Sequence, residues 1–160
     1  MLRLKIVLSL FLLIVILSGC TTNNQIDEEI YLIGIDEIKN VKVNELFEIH
    51  GYLKNNSKQT LDISHGSGMF MYEVYDEDGV KILPNNSILF RNDIGYTAEI
   101  KSNVEYRDNG EGQRSDEYYQ FVIQIPGTYK VKANVEFWVE SKGNQQQINL
   151  SSDLVQFIVE

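Results

Sequence analysis

The chain has one cysteine, two prolines, two histidines and one tryptophan among 160 residues, and only 14 lysines and arginines against 23 aspartates and glutamates. A single cysteine excludes a disulfide scaffold. With no His-x-x-x-His pair, no Gly-x-Ser-x-Gly and no glycine-rich phosphate loop, the chain offers no familiar metal, nucleophile or nucleotide motif. The net charge of −9 and the absence of any basic run argue against nucleic acid, since a polyanion partner requires clustered cations. Helical apolar spacing is nowhere sustained over three turns after residue 30, which removes the helix bundle as a fold. No catalytic residue, metal ligand or cofactor is expected, and the length suits one small domain.

What is present begins at the N-terminus. Arg3 and Lys5 precede the apolar run from Ile6 to Leu17, a basic segment followed by a hydrophobic one, as a secretory signal requires. Twelve helical residues reach only about 18 Å, against a hydrocarbon core of about 30 Å, so the run is short for a permanent span. It ends in Leu17-Ser18-Gly19-Cys20, which resembles the lipobox of bacterial lipoproteins. The resemblance implies cleavage between Gly19 and Cys20 and a diacylglycerol thioether on the Cys20 sulfur. One acyl chain holds a bilayer only marginally, whereas two anchor stably. The expected organisation is therefore a lipoprotein signal peptide over 1–19, the lipidated Cys20 with a flexible polar linker over 20–29, and a folded domain over 30–160. Its expected location is the extracytoplasmic side of the cell membrane. Cleavage removes Arg3 and Lys5 but no acidic side chain, leaving 12 basic against 23 acidic groups.

After residue 30 the signal is alternation. Tyr129, Val131, Ala133, Val135, Phe137 and Val139 are apolar, and the residues between them are polar except Trp138. One face of such a strand enters a core and the other meets water. Tyr119, Phe121, Ile123 and Ile125 follow the same rule, as do Phe47, Ile49, Gly51 and Leu53. Further strands are expected over 30–35, 61–64, 70–76, 80–83, 98–106, 146–150 and 154–159. Turn residues separate most of them: Asn55-Asn56-Ser57, Asp76-Glu77-Asp78-Gly79, Asn85-Asn86, Asp108-Asn109-Gly110, Pro126-Gly127 and Lys142-Gly143-Asn144. Many short strands at this spacing predict an all-β antiparallel sandwich. Its expected core comprises Phe47, Ile49, Phe121, Ile123, Tyr129, Val131, Val135, Phe137 and Phe157. Residues 107–117 form the one long polar stretch and are expected to be a loop.

Pro126-Gly127-Thr128-Tyr129 followed by alternating apolar residues resembles the entrance to strand F of immunoglobulin-like domains. There a corner tyrosine buries its ring and bonds its hydroxyl to backbone upstream. The alternative is a simple hairpin between residues 117–125 and 129–139. A wider resemblance is carried by Leu53-Lys54-Asn55-Asn56-Ser57-Lys58-Gln59-Thr60-Leu61-Asp62-Ile63, Tyr72-Glu73-Val74-Tyr75-Asp76-Glu77-Asp78-Gly79 and Pro126-Gly127-Thr128-Tyr129. This order is similar to bacterial immunoglobulin-like domains of the intracellular proteinase inhibitor (BsuPI) type. The implied function is a non-catalytic surface module that binds a protein or cell-envelope partner. The alternative is a protease inhibitor acting through a protruding loop.

Candidate chemistry is sparse. His50 and His65 are expected as surface and turn histidines, and Asp76-Glu77-Asp78-Gly79 as a solvated hairpin turn in preference to a calcium site. Asn55, Asn85 and Asn149 begin glycosylation-type triplets but read as turn and strand-end residues. Trp138 interrupts the polar face of the clearest strand. It either packs under a loop or a neighbouring edge strand, or serves as an exposed anchor for a partner together with Lys142 and Asn144 in the adjacent turn. Tyr96, Tyr106, Tyr118 and Tyr119 flank the long loop as a possible second aromatic surface, with Tyr119 expected in the core.

Overall fold

The computed structural model describes residues 30–84, 95–107, 116–141 and 143–160. The elements are β1 (Tyr31–Ile35), β2 (Leu46–Glu48), β3 (Gly51–Asn55), β4 (Leu61–Gly66), β5 (Phe70–Tyr75), β6 (Lys81–Ile82), β7 (Gly95–Ile100) and β8 (Glu105–Tyr106). A single helical turn α1 (Asp116–Tyr119) follows, then β9 (Gln120–Val122), β10 (Gly127–Ser141), β11 (Asn144–Ser151) and β12 (Val155–Val159). The protein is an all-β antiparallel sandwich, as alternation predicts.

The long strand β10 organises the larger layer. On one flank β5 pairs with Lys130 to Val135 and β4 with Trp138 and Val139, so the chain from β4 to β5 runs once along β10 and bulges outward over residues 67–69. On the other flank β11 pairs with Asn134 to Ser141 and β12 with Gly127 to Val131, again one continuous pass with a bulge at residues 152–154. Both gaps are bridged. The Glu136 amide donates to the Met69 carbonyl, and Ala133 donates to the Ser152 hydroxyl while its carbonyl accepts from the Ser152 amide. These bonds satisfy backbone groups that would otherwise be buried without partners. Strand β6 extends the sheet from β5 and β7 extends it from β4.

The second layer is formed by β1-β3-β8 and by β2-β9. Named contacts press the layers together: the Tyr31 and Phe137 rings meet edge to face at 5.3 Å, and the Phe47 and Phe157 rings lie 5.7 Å apart. Eight of the nine expected core residues are buried; Phe47 is only partly buried, and packs on Phe121 and Phe157.

Three expected strands are divided or shortened. The run from Phe47 to Leu53 divides at Ile49 and His50, because the Ile49 amide donates to Tyr119 while the His50 carbonyl accepts from Asp36, so the chain exchanges partners. The 98–106 run divides into β7 and β8 at a turn closed by the Val104 amide on the Lys101 carbonyl, with Asn103 in the left-handed region at φ 61°. The Tyr119 to Ile125 run keeps only Gln120–Val122 as strand, and Ile125 is exposed.

The corner tyrosine is present. Tyr129 buries its ring and donates its hydroxyl to the Ile125 carbonyl at 2.8 Å, and β9 and β10 lie in different sheets, which excludes the hairpin alternative. Asn55 is completely buried. Its amide nitrogen donates to the carbonyls of Gln59 and Ile100, and its side-chain oxygen accepts from the Ser57 amide. With both amide hydrogens engaged, Asn55 is a structural turn residue and offers no glycosylation site.

Candidate binding face

Alternation along β10 sends Phe137 and Val139 into the core and leaves Trp138 half-buried on the outward face. Register then selects its neighbours. Gln147 of β11 and Ser64 of β4 stand directly across from Trp138, and Thr97 of β7 lies beyond Ser64. The indole thus sits in a row of uncharged hydrogen-bonding side chains drawn from four strands. One step along the same face, Gln145, Glu140, Asp62 and Glu99 form a second row. The Gln145 amide reaches the Ser64 hydroxyl at 3.5 Å, and a groove of about 340 Å³ runs over these residues. Asp62 and Glu99 are cross-strand partners, a placement that disfavours anionic ligands on that side.

Of the other residues named from the sequence, Asn144 is the exposed first residue of β11, opposite Ser141. Lys142 lies outside the described residues, as do Cys20, the segment before it, Asn85 and residues 108–115 of the long loop. Turn Asp76 to Gly79 is a closed hairpin: the Asp76 carboxylate accepts from the Val80 amide at 2.7 Å, and Gly79 adopts φ 79°, where a side chain would be strained. Among the described residues no three His, Cys, Asp or Glu side chains converge as a metal site would require.

His65 corrects the sequence reading. It is not a turn residue on the surface but a β4 residue only 2% exposed. Its Nδ1 faces the Gly66 carbonyl at 2.9 Å and its Nε2 the Tyr106 hydroxyl at 2.6 Å. A carbonyl only accepts, so Nδ1 carries the proton and Nε2 accepts from Tyr106. The Tyr96 ring stacks on the imidazole at 5.6 Å and the Tyr106 ring meets it edge-on. Burial pushes the His65 pKa below its ordinary 6.5. Both ring nitrogens are occupied, which leaves neither a lone pair for a metal nor a free base. Two of the four loop-flanking tyrosines are therefore gathered around a buried histidine. Tyr118 instead packs its ring over Gly68, and Tyr119, expected in the core, is only partly buried and packs against it. His50, by contrast, lies near the surface, 3.4 Å from Glu48.

Sequence reasoning singles out Trp138 as a candidate but not its neighbours Ser64, Thr97 and Gln147, because only strand order and register place them beside it. Compared with known proteins, the chain matches no protein-family model and no curated protein.

Proposed function

We propose that the chain is a lipoprotein anchored to the extracytoplasmic side of the cell membrane through Cys20. Its immunoglobulin-like domain binds, without catalysis, a protein or cell-envelope partner on the Trp138 face. The observation that carries the binding role is the half-buried indole on an outward sheet face among Gln147, Ser64 and Thr97. An aromatic ring held in place by its strand contributes contact area at low entropic cost, and the flanking amide and hydroxyl groups supply directional bonds. The anchor rests on Leu17-Ser18-Gly19-Cys20 and the run before it. Corner Tyr129 supports the immunoglobulin-like reading of the sandwich.

Two measurements test this. Cys20→Ala is expected to accumulate as an unprocessed precursor without acyl label; an unmodified Cys20 in membranes overturns the anchor. A photo-crosslinker at Thr97 is expected to capture one envelope component in intact cells, and one at Lys58, in the turn after β3, is not. Equal capture from both positions overturns the binding face.

A further inference from the structure

We propose that the outer edge of β11 pairs antiparallel with the same edge of a second copy of this chain, joining two larger sheets into one. This pairing does not depend on the binding role given to Trp138.

An exposed strand edge is a row of unpaired amides and carbonyls, and proteins protect it by shortness, charge, bulges or a covering segment. Among the described residues, the other edges are shorter, charged, interrupted by glycine or covered. Strands β6 and β8 have two residues each, and β2 and β9 have three. Strand β7 carries Glu99, and β1 is five residues long with a glycine, Gly34, near its end. The outer edge of β12 is covered by residues 41–43, through the Val41 to Val159 bridge and the bonds between Glu160 and both Val41 and Val43.

Within its own length strand β11 has none of these devices; the bulge at 152–154, with Asp153, lies beyond its end. The strand runs for eight residues without a charge, proline or glycine, and its backbone bonds among the described residues all go to β10. In an antiparallel ladder alternate residues turn their amide and carbonyl away from the partner, so roughly half of β11 presents open groups outward. Neutrality extends from Gly143 to Ser152, in a chain whose net charge is −9. Two copies of so acidic a chain repel each other overall, and β11 itself brings no like charges together. A strand paired with itself about a two-fold axis matches each outward donor to an acceptor, which an arbitrary partner edge does not guarantee. Beside the edge lies a groove of about 520 Å³ between Tyr31, Leu32 and Ile33 of β1 and Asn149 to Asp153, with Leu32 44% exposed. Pairing at β11 brings the second copy beside this mixed polar and apolar groove. Centred on Gln147, the residue across from Trp138, it also places the two Trp138 residues three strand spacings apart, about 14 Å, on one continuous face.

The test uses the full chain in its membrane. Gln147→Cys treated with a short bis-maleimide is expected to give a band of doubled mass, while Lys58→Cys is not, and the unsubstituted chain measures any contribution from Cys20. Adding Gln146→Lys with Asn149→Lys to the Gln147→Cys chain places like charges across the seam and is expected to abolish the band. Co-expression with a Gln147→Cys chain carrying Gln146→Glu and Asn149→Glu is expected to restore it, which an unfolded variant could not do. Cross-linking at Gln147 no greater than at Lys58, a band that survives the lysine pair, or failure of the charge-swapped chains to restore it overturns the proposal.

Discussion

The Tyr106 hydroxyl lies 2.6 Å from Nε2 of His65, and this hydrogen bond runs from β8 in one layer of the sandwich to β4 in the other. With a neutral imidazole protonated at Nδ1 the hydroxyl donates to Nε2, whereas a protonated ring presents two donors and needs an acceptor there. The hydroxyl can turn its lone pair toward a charged ring, but the charge itself then sits in a site that excludes water.

Acid sensitivity follows from this. The unfolded chain protonates His65 near pH 6.5, whereas burial holds the folded value lower. Between those two values the unfolded state binds more protons, so stability is full above about pH 6.5 and is lost as pH falls through the folded pKa. Melting temperature is expected to fall on going from neutral to mildly acidic buffer, and His65→Gln is expected to flatten that limb. A second limb belongs to Glu73, whose carboxylate accepts from Lys81 at 2.6 Å and Tyr75 at 2.8 Å and is held down to about 2 from 4.5. Its contribution is lost between those values, and Glu73→Gln removes that step alone. A melting temperature independent of pH across both ranges contradicts the assignments.

Asn55 is the position where a polar side chain is most thoroughly enclosed. Asn55→Ala leaves the Gln59 and Ile100 carbonyls and the Ser57 amide without their partner, at a cost of about 3 kcal/mol. Asn55→Asp is expected to be no better, since a carboxylate would face two carbonyls. Chemical denaturation compared with the unsubstituted chain measures the loss. A change below about 0.5 kcal/mol would show that water replaces the side chain.

How far the sequence could be read depended on whether a feature is local. Alternation over Tyr129 to Val139 gave β10 and its inward face, since the period of two is written in consecutive residues. Gly79 and the Asp76 carboxylate gave their hairpin turn for the same reason. Changes of pairing partner were not legible: nothing between Phe47 and Leu53 shows that Ile49 bonds to Tyr119 and His50 to Asp36, the first far away in the chain. His65 was misplaced because its glycine- and serine-rich neighbours look like a turn. In fact those residues form a bulge beside β10, and Tyr106, forty-one positions on, encloses the ring. Trp138 was legible as outward, but its neutral row and adjoining acidic row depend on strands brought together only by the fold.

Tyr129→Phe separates the corner hydrogen bond from the ring that carries it. The ring remains packed near Phe157, 5.9 Å between centroids, while the Ile125 carbonyl loses its donor. Ile125 is exposed, so water partly replaces the hydroxyl and the loss is expected to be about 1 kcal/mol. Tyr129→Ala removes the buried ring as well and is expected to cost about 3 kcal/mol or more. Equal losses for the two substitutions would assign the whole effect to the hydroxyl and contradict the packing role.

Trp138→Ala distinguishes anchoring from packing. The flanking residues Phe137 and Val139 hold the strand in the core, so truncating an outward side chain between them is expected to leave melting temperature nearly unchanged. If the indole anchors a partner, the same substitution weakens capture by about 2 kcal/mol or more. As the only tryptophan in the chain, it also reports on the face directly. Bound partner should shift and protect its fluorescence from an aqueous quencher, and a chain with Thr97→Lys, altered in the same row, should show weaker protection. The contrary pattern is a large fall in melting temperature with capture per folded molecule unchanged. That pattern returns Trp138 to packing against β4 and β11 and removes the binding face.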